Sequence, residues 1–309
     1  MTAPSPPFAV WFDERLVEGA VLAAAPRQPF EERYGFHRER EAIYEIGEPD
    51  ARERAFGSLF ARWFERWQLA RPVHRALAEQ PLLAVRTSGC RVGPALGPPD
   101  EGADLYRPLD SPGQPPEVGV RLRPVVLVER DACLALLRHE LQHLVDMLDP
   151  AFGYDRDLPP LEGGPAYDTL VRQRYHLVWD ITIDGRLVRR ALLPETVRAR
   201  RFGEFARSFP ALGPELGDRF ARWFDDPQPT HRAILEFVLA RAARTPARSP
   251  DETTVVCPVC RFPTAAGAFV TAVASEVAEL VARRYPTWRP ESGLCRQCRD
   301  LFEARLGAH

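Results

Sequence analysis

Lysine is absent from all 309 residues, so each of the 41 basic side chains is an arginine. No run of about 18 apolar residues occurs, which argues against a membrane-spanning helix. The opening stretch MTAPSPPFAVWFDERL lacks the basic start and apolar core of a signal peptide. Neither charge is in excess: 43 acidic residues against 41 basic leave a formal net charge of -2. No global field therefore points to nucleic acid or an anionic membrane. Uniform arginine usage reads as composition bias, and it makes any single arginine a weak signal. At 45% hydrophobic and 27% charged, the chain is globular in composition and long enough for one large core or two smaller ones. These absences lead us to expect a cytoplasmic protein with no membrane partner.

Cysteine is sparse too, but four of the six fall in two C-x-x-C pairs, Cys257 with Cys260 and Cys295 with Cys298. Four thiolates so spaced suit tetrahedral structural zinc, and in a reducing compartment metal is favoured over disulfide. A closed site of that kind folds its surroundings and does not catalyse. With a helix expected over about 264–284 between the pairs, the tail reads as a zinc-ribbon variant with a long insert. Arg283, Arg284, Arg289, Arg296 and Arg299 lie near the second pair, diluted by Glu276, Glu279, Asp300 and Glu303. A protein or a nucleic-acid partner for the ribbon therefore stays open. Cys90 and Cys133 stand alone and are expected to be buried or inert.

Periodicity organises the rest. Residues 1–80 read as mainly helical, with Phe56, Leu59, Phe60, Trp63, Phe64 and Trp67 recurring at three- and four-residue steps as a core-packing face. Residues 94–116, rich in proline, read as an exposed, poorly ordered loop. Val118–Arg130 alternates and is rich in valine, so one or two strands are expected, with Pro124 favouring an edge or a bulge. A helix follows, with Asp131 as a plausible N-cap and Asp149-Pro150 as its end. A second helix is expected from about Pro165 to Leu193, more helix over 195–245, and a linker over 241–254.

The first of those helices carries His139-Glu140-Leu141-Gln142-His143, an instance of H-E-x-x-H. Two histidines four residues apart project from one helical face and can reach one ion. The intervening glutamate can then serve as base to a zinc-bound water. Leu134, Leu137, Leu141, Leu144 and Leu148 form a separate stripe, so the helix can bury one face while presenting the imidazoles on another. A third ligand is needed, and His176, Asp180 and Asp184 follow at four-residue steps on the second helix.

In these residues the chain resembles the zincin metallopeptidases, particularly the gluzincins, where H-E-x-x-H is followed by a helix bearing E-x-x-x-D. Asp180-Ile181-Thr182-Ile183-Asp184 has that spacing, with aspartate in place of glutamate. The resemblance implies His139, His143 and Asp180 as zinc ligands and Glu140 as general base. It also implies Asp184 as acceptor of a hydrogen bond from a ligand histidine. The shorter aspartate would require the two helices to approach closely, which Gly185 would permit. His176 is the alternative third ligand, and it would suit the SprT-like DNA-associated proteases, which share the plan of H-E-x-x-H followed by a zinc ribbon. Tyr167, Arg172, Tyr175 and His176 are candidate donors to an oxyanion.

The expected architecture is α+β. It comprises an N-terminal helical region (1–80), a zincin-like core (81–195), a helical extension packing on it (196–248) and a zinc-ribbon-like domain (249–309). The core should hold a small antiparallel or mixed sheet, an active-site helix and a ligand helix. The expected function is zinc-dependent hydrolysis of a peptide or protein, with one catalytic and one structural zinc. A lapsed zincin acting as an adaptor through its ribbon is the alternative. The strand at 118–130 would, by analogy, be the edge along which an extended peptide pairs.

Overall fold

Prolines decide where many of the helices begin. With φ preset and no N–H to satisfy, proline suits the first turn; among the described residues it is the first residue of four α-helices and the second of a fifth. The computed structural model describes residues 8–107, 113–156, 165–242, 254–265 and 269–306. In chain order, β1 (Ala9–Phe12) leads into α1 (Glu14–Ala24), α2 (Phe30–Tyr44), α3 (Pro49–Arg66), α4 (Arg71–Ala78) and α5 (Pro81–Arg86). Strands β2 (Gly89–Pro94), β3 (Gly102–Tyr106) and β4 (Glu117–Leu122) follow, then α6 (Pro124–Val128) and α7 (Arg130–Leu148). Next come α8 (Pro165–Arg189), α9 (Thr196–Ser208), α10 (Leu216–Phe224) and α11 (His231–Ala242). The tail holds β5 (Thr254–Val256), β6 (Pro263–Ala265), β7 (Phe269–Val270), α12 (Ser275–Arg284), β8 (Leu294–Cys295) and α13 (Arg296–Leu306). The protein is α+β, and no helix among the described residues is long and apolar enough to cross a membrane.

The chain forms two compact units. The first comprises Met1–Tyr154 with Ile183–Arg198 and Phe224–Gln228. Its four-stranded mixed sheet has the order β1-β2-β4-β3; β1, β2 and β4 are parallel, and β3 pairs antiparallel with β4. Cys90, Val92, Val118, Val120 and Leu122 are buried at alternate positions, the period of a strand with one face on the core. The aromatic stripe of α3 packs as its spacing predicts: Leu59, Phe60, Trp63, Phe64 and Trp67 are all buried. The indoles of Trp63 and Trp67 donate to Glu39 and Glu32, so the polar end of each ring is satisfied.

Four expectations change here. Pro124 lies neither in a strand nor at a bulge; the strand ends at Leu122 and Pro124 opens α6. β4 is interior, so the edge is β3, inside the stretch 94–116 read as loop, of which 108–112 lie outside the described residues. β1, the other edge, lies in a region read as helical. At α7 the cap falls on Glu129, with Asp131 in the first turn and Asp149 closing the helix.

The second unit comprises Asp155–Thr182, Ala199–Trp223 and Pro229–His309. Phe205, Phe220, Trp223 and Phe237, from α9, α10 and α11, form a ring cluster with Phe209, the residue after α9, with centroids 4.7–5.8 Å apart along successive pairs. The tail has its own small core of Val277, Val281, Trp288, Leu294 and Phe302 around the cysteines. Its helix α12 begins at Ser275 and not near 264, because 263–265 pairs with β5 and 269–270 with β8. The expected linker falls largely on residues outside those described. α8 runs unbroken through the boundary, which comes after Thr182.

Candidate metal centres

Leu134, Leu137, Leu141 and Leu144 are all buried along α7, each contributing roughly 1.5–3 kcal/mol. That burial sets the rotation of α7 about its axis and leaves His139, Glu140 and His143 half-buried. Arg138, Gln142 and Asp146 are buried as well, and each is satisfied. Arg138 donates to both oxygens of Glu79 at 2.7 Å and to the Leu192 carbonyl. Gln142 donates to Asp146, whose carboxylate also takes a bidentate pair from Arg186 at 2.6 and 2.7 Å. That fork clamps the last turns of α8 against α7.

Beside the clamp, His139 Nδ1 lies 2.7 Å from Asp184 Oδ1, and Asp184 is buried. A carboxylate can only accept, so Nδ1 carries the proton and the lone pair resides on Nε2, the tautomer a metal needs. The His143 ring follows one turn later, its centroid 5.0 Å from that of His139. Asp180 stands one turn before Asp184 on the same continuous helix. Two imidazoles and a carboxylate form the donor set of an open zinc site.

His176, one turn further back, is exposed and stacks on Trp179. Arg172 is exposed and Tyr167 half-buried. Tyr175 is buried with its hydroxyl 2.6 Å from His231 Nδ1, an arrangement that ties it to α11. Burial lowers the pKa of His231, favouring the neutral ring. The role expected of Gly185 shifts: a Cβ there would fall on the Phe224 carbonyl, so the close approach it permits is to the end of α10.

Glu140 lies against the edge of the sheet. A Cβ on Gly102 would come within 3.2 Å of Glu140 Oε2, so the carboxylate packs closely on the bare backbone of β3. The two border a cavity of about 210 Å³ that Asp104, Tyr106 and Arg121 also line. No reading of the sequence pointed to β3, since its flanks are dominated by proline and glycine.

Arg201 on α9 was likewise not anticipated. It is 8% exposed, and its Nη1 lies 2.8 Å from Glu204 and 3.4 Å from Asp180 Oδ2. In a chain whose basic residues are all arginine, nothing local marks it out.

The second centre lies wholly in the tail, where Cys257, Cys260, Cys295 and Cys298 form a group able to hold a metal ion. Cys257 follows β5 and Cys260 sits in the turn to β6, closed by Arg261 N–H donating to the Cys257 carbonyl and by a left-handed Arg261. Cys295 ends β8 and Cys298 lies in the first turn of α13. One pair is thus a hairpin turn and the other a strand-to-helix junction, where the positive end of the helix favours thiolate. The Sγ atoms of Cys257 and Cys298 are 4.0 Å apart, those of Cys260 and Cys295 3.7 Å. Hydrogen bonds from the Cys260 and Cys298 side chains hold the Cys257 thiol well below its usual range. Cys90 and Cys133 are the opposite case: both are buried, and burial pushes each thiol up to about 12.

No protein-family model, curated protein or solved structure matches the chain, so its functional reading rests on these residues and their geometry.

Proposed function

We propose that the protein is a zinc-dependent peptidase of zincin type, with His139, His143 and Asp180 holding the catalytic ion and the four tail cysteines a structural one. The observation that carries the reading is the hydrogen bond by which Asp184, one turn after Asp180 on α8, orients His139, with His143 one turn later on α7. Asp180, not His176, is the third ligand in this reading, which separates it from the SprT-like plan. Zinc bound there would supply Lewis acidity, lowering the pKa of water and polarising a carbonyl. Glu140 takes the proton of the attacking water and passes it to the departing amine nitrogen. An extended peptide pairs with the outer edge of β3, which brings its backbone to the carboxylate.

The test is zinc stoichiometry on the full chain, wild type beside a His139→Ala/His143→Ala double variant, followed by peptide hydrolysis. Two zincs falling to one, with hydrolysis lost, supports the proposal. One zinc unchanged by the substitutions, with added zinc restoring no second site, removes it and leaves a protein whose metal serves only the tail.

A further inference from the structure

We infer that a cavity of the first unit, sharing no residue with either metal centre, binds a small zwitterion with an apolar body: an apolar α-amino acid, free or as a dipeptide. The cavity lies between β1 and the corner where α3 gives way to α4, and its volume is about 740 Å³. Small-molecule sites span roughly 300–1,000 Å³ and are mostly apolar, with a few convergent polar groups. Val10 and Phe12 of β1 and the buried Phe64 of α3 form the apolar wall. The Phe12 ring stands 5.2 Å from that of Phe64 and 5.8 Å from that of His74, so the wall is braced from both helices.

Charge selects the ligand. Glu65 and Arg71 both border the cavity, and they pair neither with each other nor with any other described residue. An anion alone would meet the carboxylate, and a cation alone the guanidinium, whereas a molecule carrying one of each charge satisfies both. Arg71 takes the α-carboxylate through two parallel N–H donors. Glu65 takes the α-ammonium, and the apolar side chain lies on Phe12 and Phe64. Gln68 is the third polar group. It follows the end of α3 in the left-handed region, with φ 53°, while the Leu69 N–H donates to the Phe64 carbonyl. Glycine is the usual residue at such a position, so an amide is kept at the rim of the cavity against the preference of the backbone.

The experiment is calorimetric titration of the full chain with leucine, phenylalanine and leucyl-leucine, beside N-acetylleucine and leucinamide, which each lack one charge. Expected is saturable binding of the zwitterions at about millimolar concentration or below. Arg71→Met and Glu65→Gln should each weaken it on the order of 10–100-fold; both side chains are exposed, so the substitutions spare the fold. N-acetylleucine should bind weakly and ignore Glu65→Gln, and leucinamide should likewise ignore Arg71→Met. Gln68→Gly should weaken binding about 2–10-fold with melting temperature unchanged or raised, a combination that a purely structural role would not give. His139→Ala/His143→Ala should bind as wild type does, which separates this result from the peptidase reading. Leucine binding as tightly as leucyl-leucine assigns the free amino acid, and leucyl-leucine binding alone assigns the dipeptide. No saturation by about 10 mM, or binding indifferent to both Arg71→Met and Glu65→Gln, overturns the inference. So does N-acetyl-leucyl-leucinamide binding as well as the zwitterions, which would make the cavity a place where a peptide strand adds to the edge of β1.

Discussion

Asp184 Oδ1 and His139 Nδ1 are 2.7 Å apart, joining residues 45 positions distant in the chain. The contact makes an imidazole of defined tautomer out of one that could otherwise ring-flip, at the cost of burying a carboxylate. The adjacent Asp146–Arg186 fork holds the same stretch of α8 in register, so orientation of the histidine is inherited from helix packing.

Removing Asp184 should therefore weaken the core metal without deleting a ligand. Asp184→Ala is expected to lower core zinc affinity about 10–100-fold, and Asp180→Ala to lower core zinc content outright. His176→Ala should leave both untouched. Zinc content and competition measurements check this, and loss of metal in His176→Ala with retention in Asp180→Ala would hand the third position to His176.

Glu140→Gln keeps the shape and loses the base. Both zincs should remain while turnover of a peptide falls by on the order of 10²–10⁴-fold. Single-turnover hydrolysis beside metal analysis reads both quantities, and wild-type turnover would remove Glu140 from the mechanism.

The Glu79–Arg138 pair gives a pH signature. Hydrogen bonding from Arg138 holds the Glu79 carboxyl below its ordinary value of 4.5. The unfolded chain thus binds that proton more readily than the folded one, and stability rises with pH across the interval. The contribution is full above the unfolded value and lost as pH falls through the lower folded one. Melting temperatures of wild type and Glu79→Gln should differ by a constant amount above about pH 5.5 and converge in acid. A gap that widens in acid would contradict the assignment.

Two glycines should respond with opposite sign. Gly185→Ala puts a methyl on the Phe224 carbonyl and should cost about 1–3 kcal/mol. Gly57 sits in α3 with nothing near its Cβ position, so Gly57→Ala should stabilise by about 0.5–1 kcal/mol. Urea titration of each variant measures both.

Thiol labelling separates the two classes of cysteine. Cys90 and Cys133, with thiols pushed up to about 12, should resist iodoacetamide at pH 8 until the protein unfolds. The tail cysteines should become reactive once a chelator strips their metal. Mass spectrometry of labelled peptides reports each, and prompt modification of Cys133 in the folded protein would contradict its burial.

The α7 stripe, the aromatic face of α3 and the spacing of the C-x-x-C pairs were legible because each is a local periodicity. Leu137 and Leu141 had to share a face once a helix formed, and so did His139 and His143. The Asp180–Asp184 step was legible for the same reason, as one turn of a second helix. β1 and β3 were not legible. Four- and five-residue strands carry little alternation, and β3 is bounded by the glycines and prolines that mark a loop. Pairing with β4, a contact between distant residues, is what makes it a strand.

Placement on one turn of helix was thus legible within the chain: two imidazoles on one face, a carboxylate between them, and paired thiols at each end of the tail. Tertiary packing decided the rest. It chose Asp184 as the partner of His139, set Glu140 against the edge of β3 and brought Arg201 of α9 to Asp180 of α8. The reason is geometric. A helix repeats its own contacts every turn, so spacing predicts them, whereas the approach of two helices depends on every side chain between them, and no short stretch of sequence encodes it.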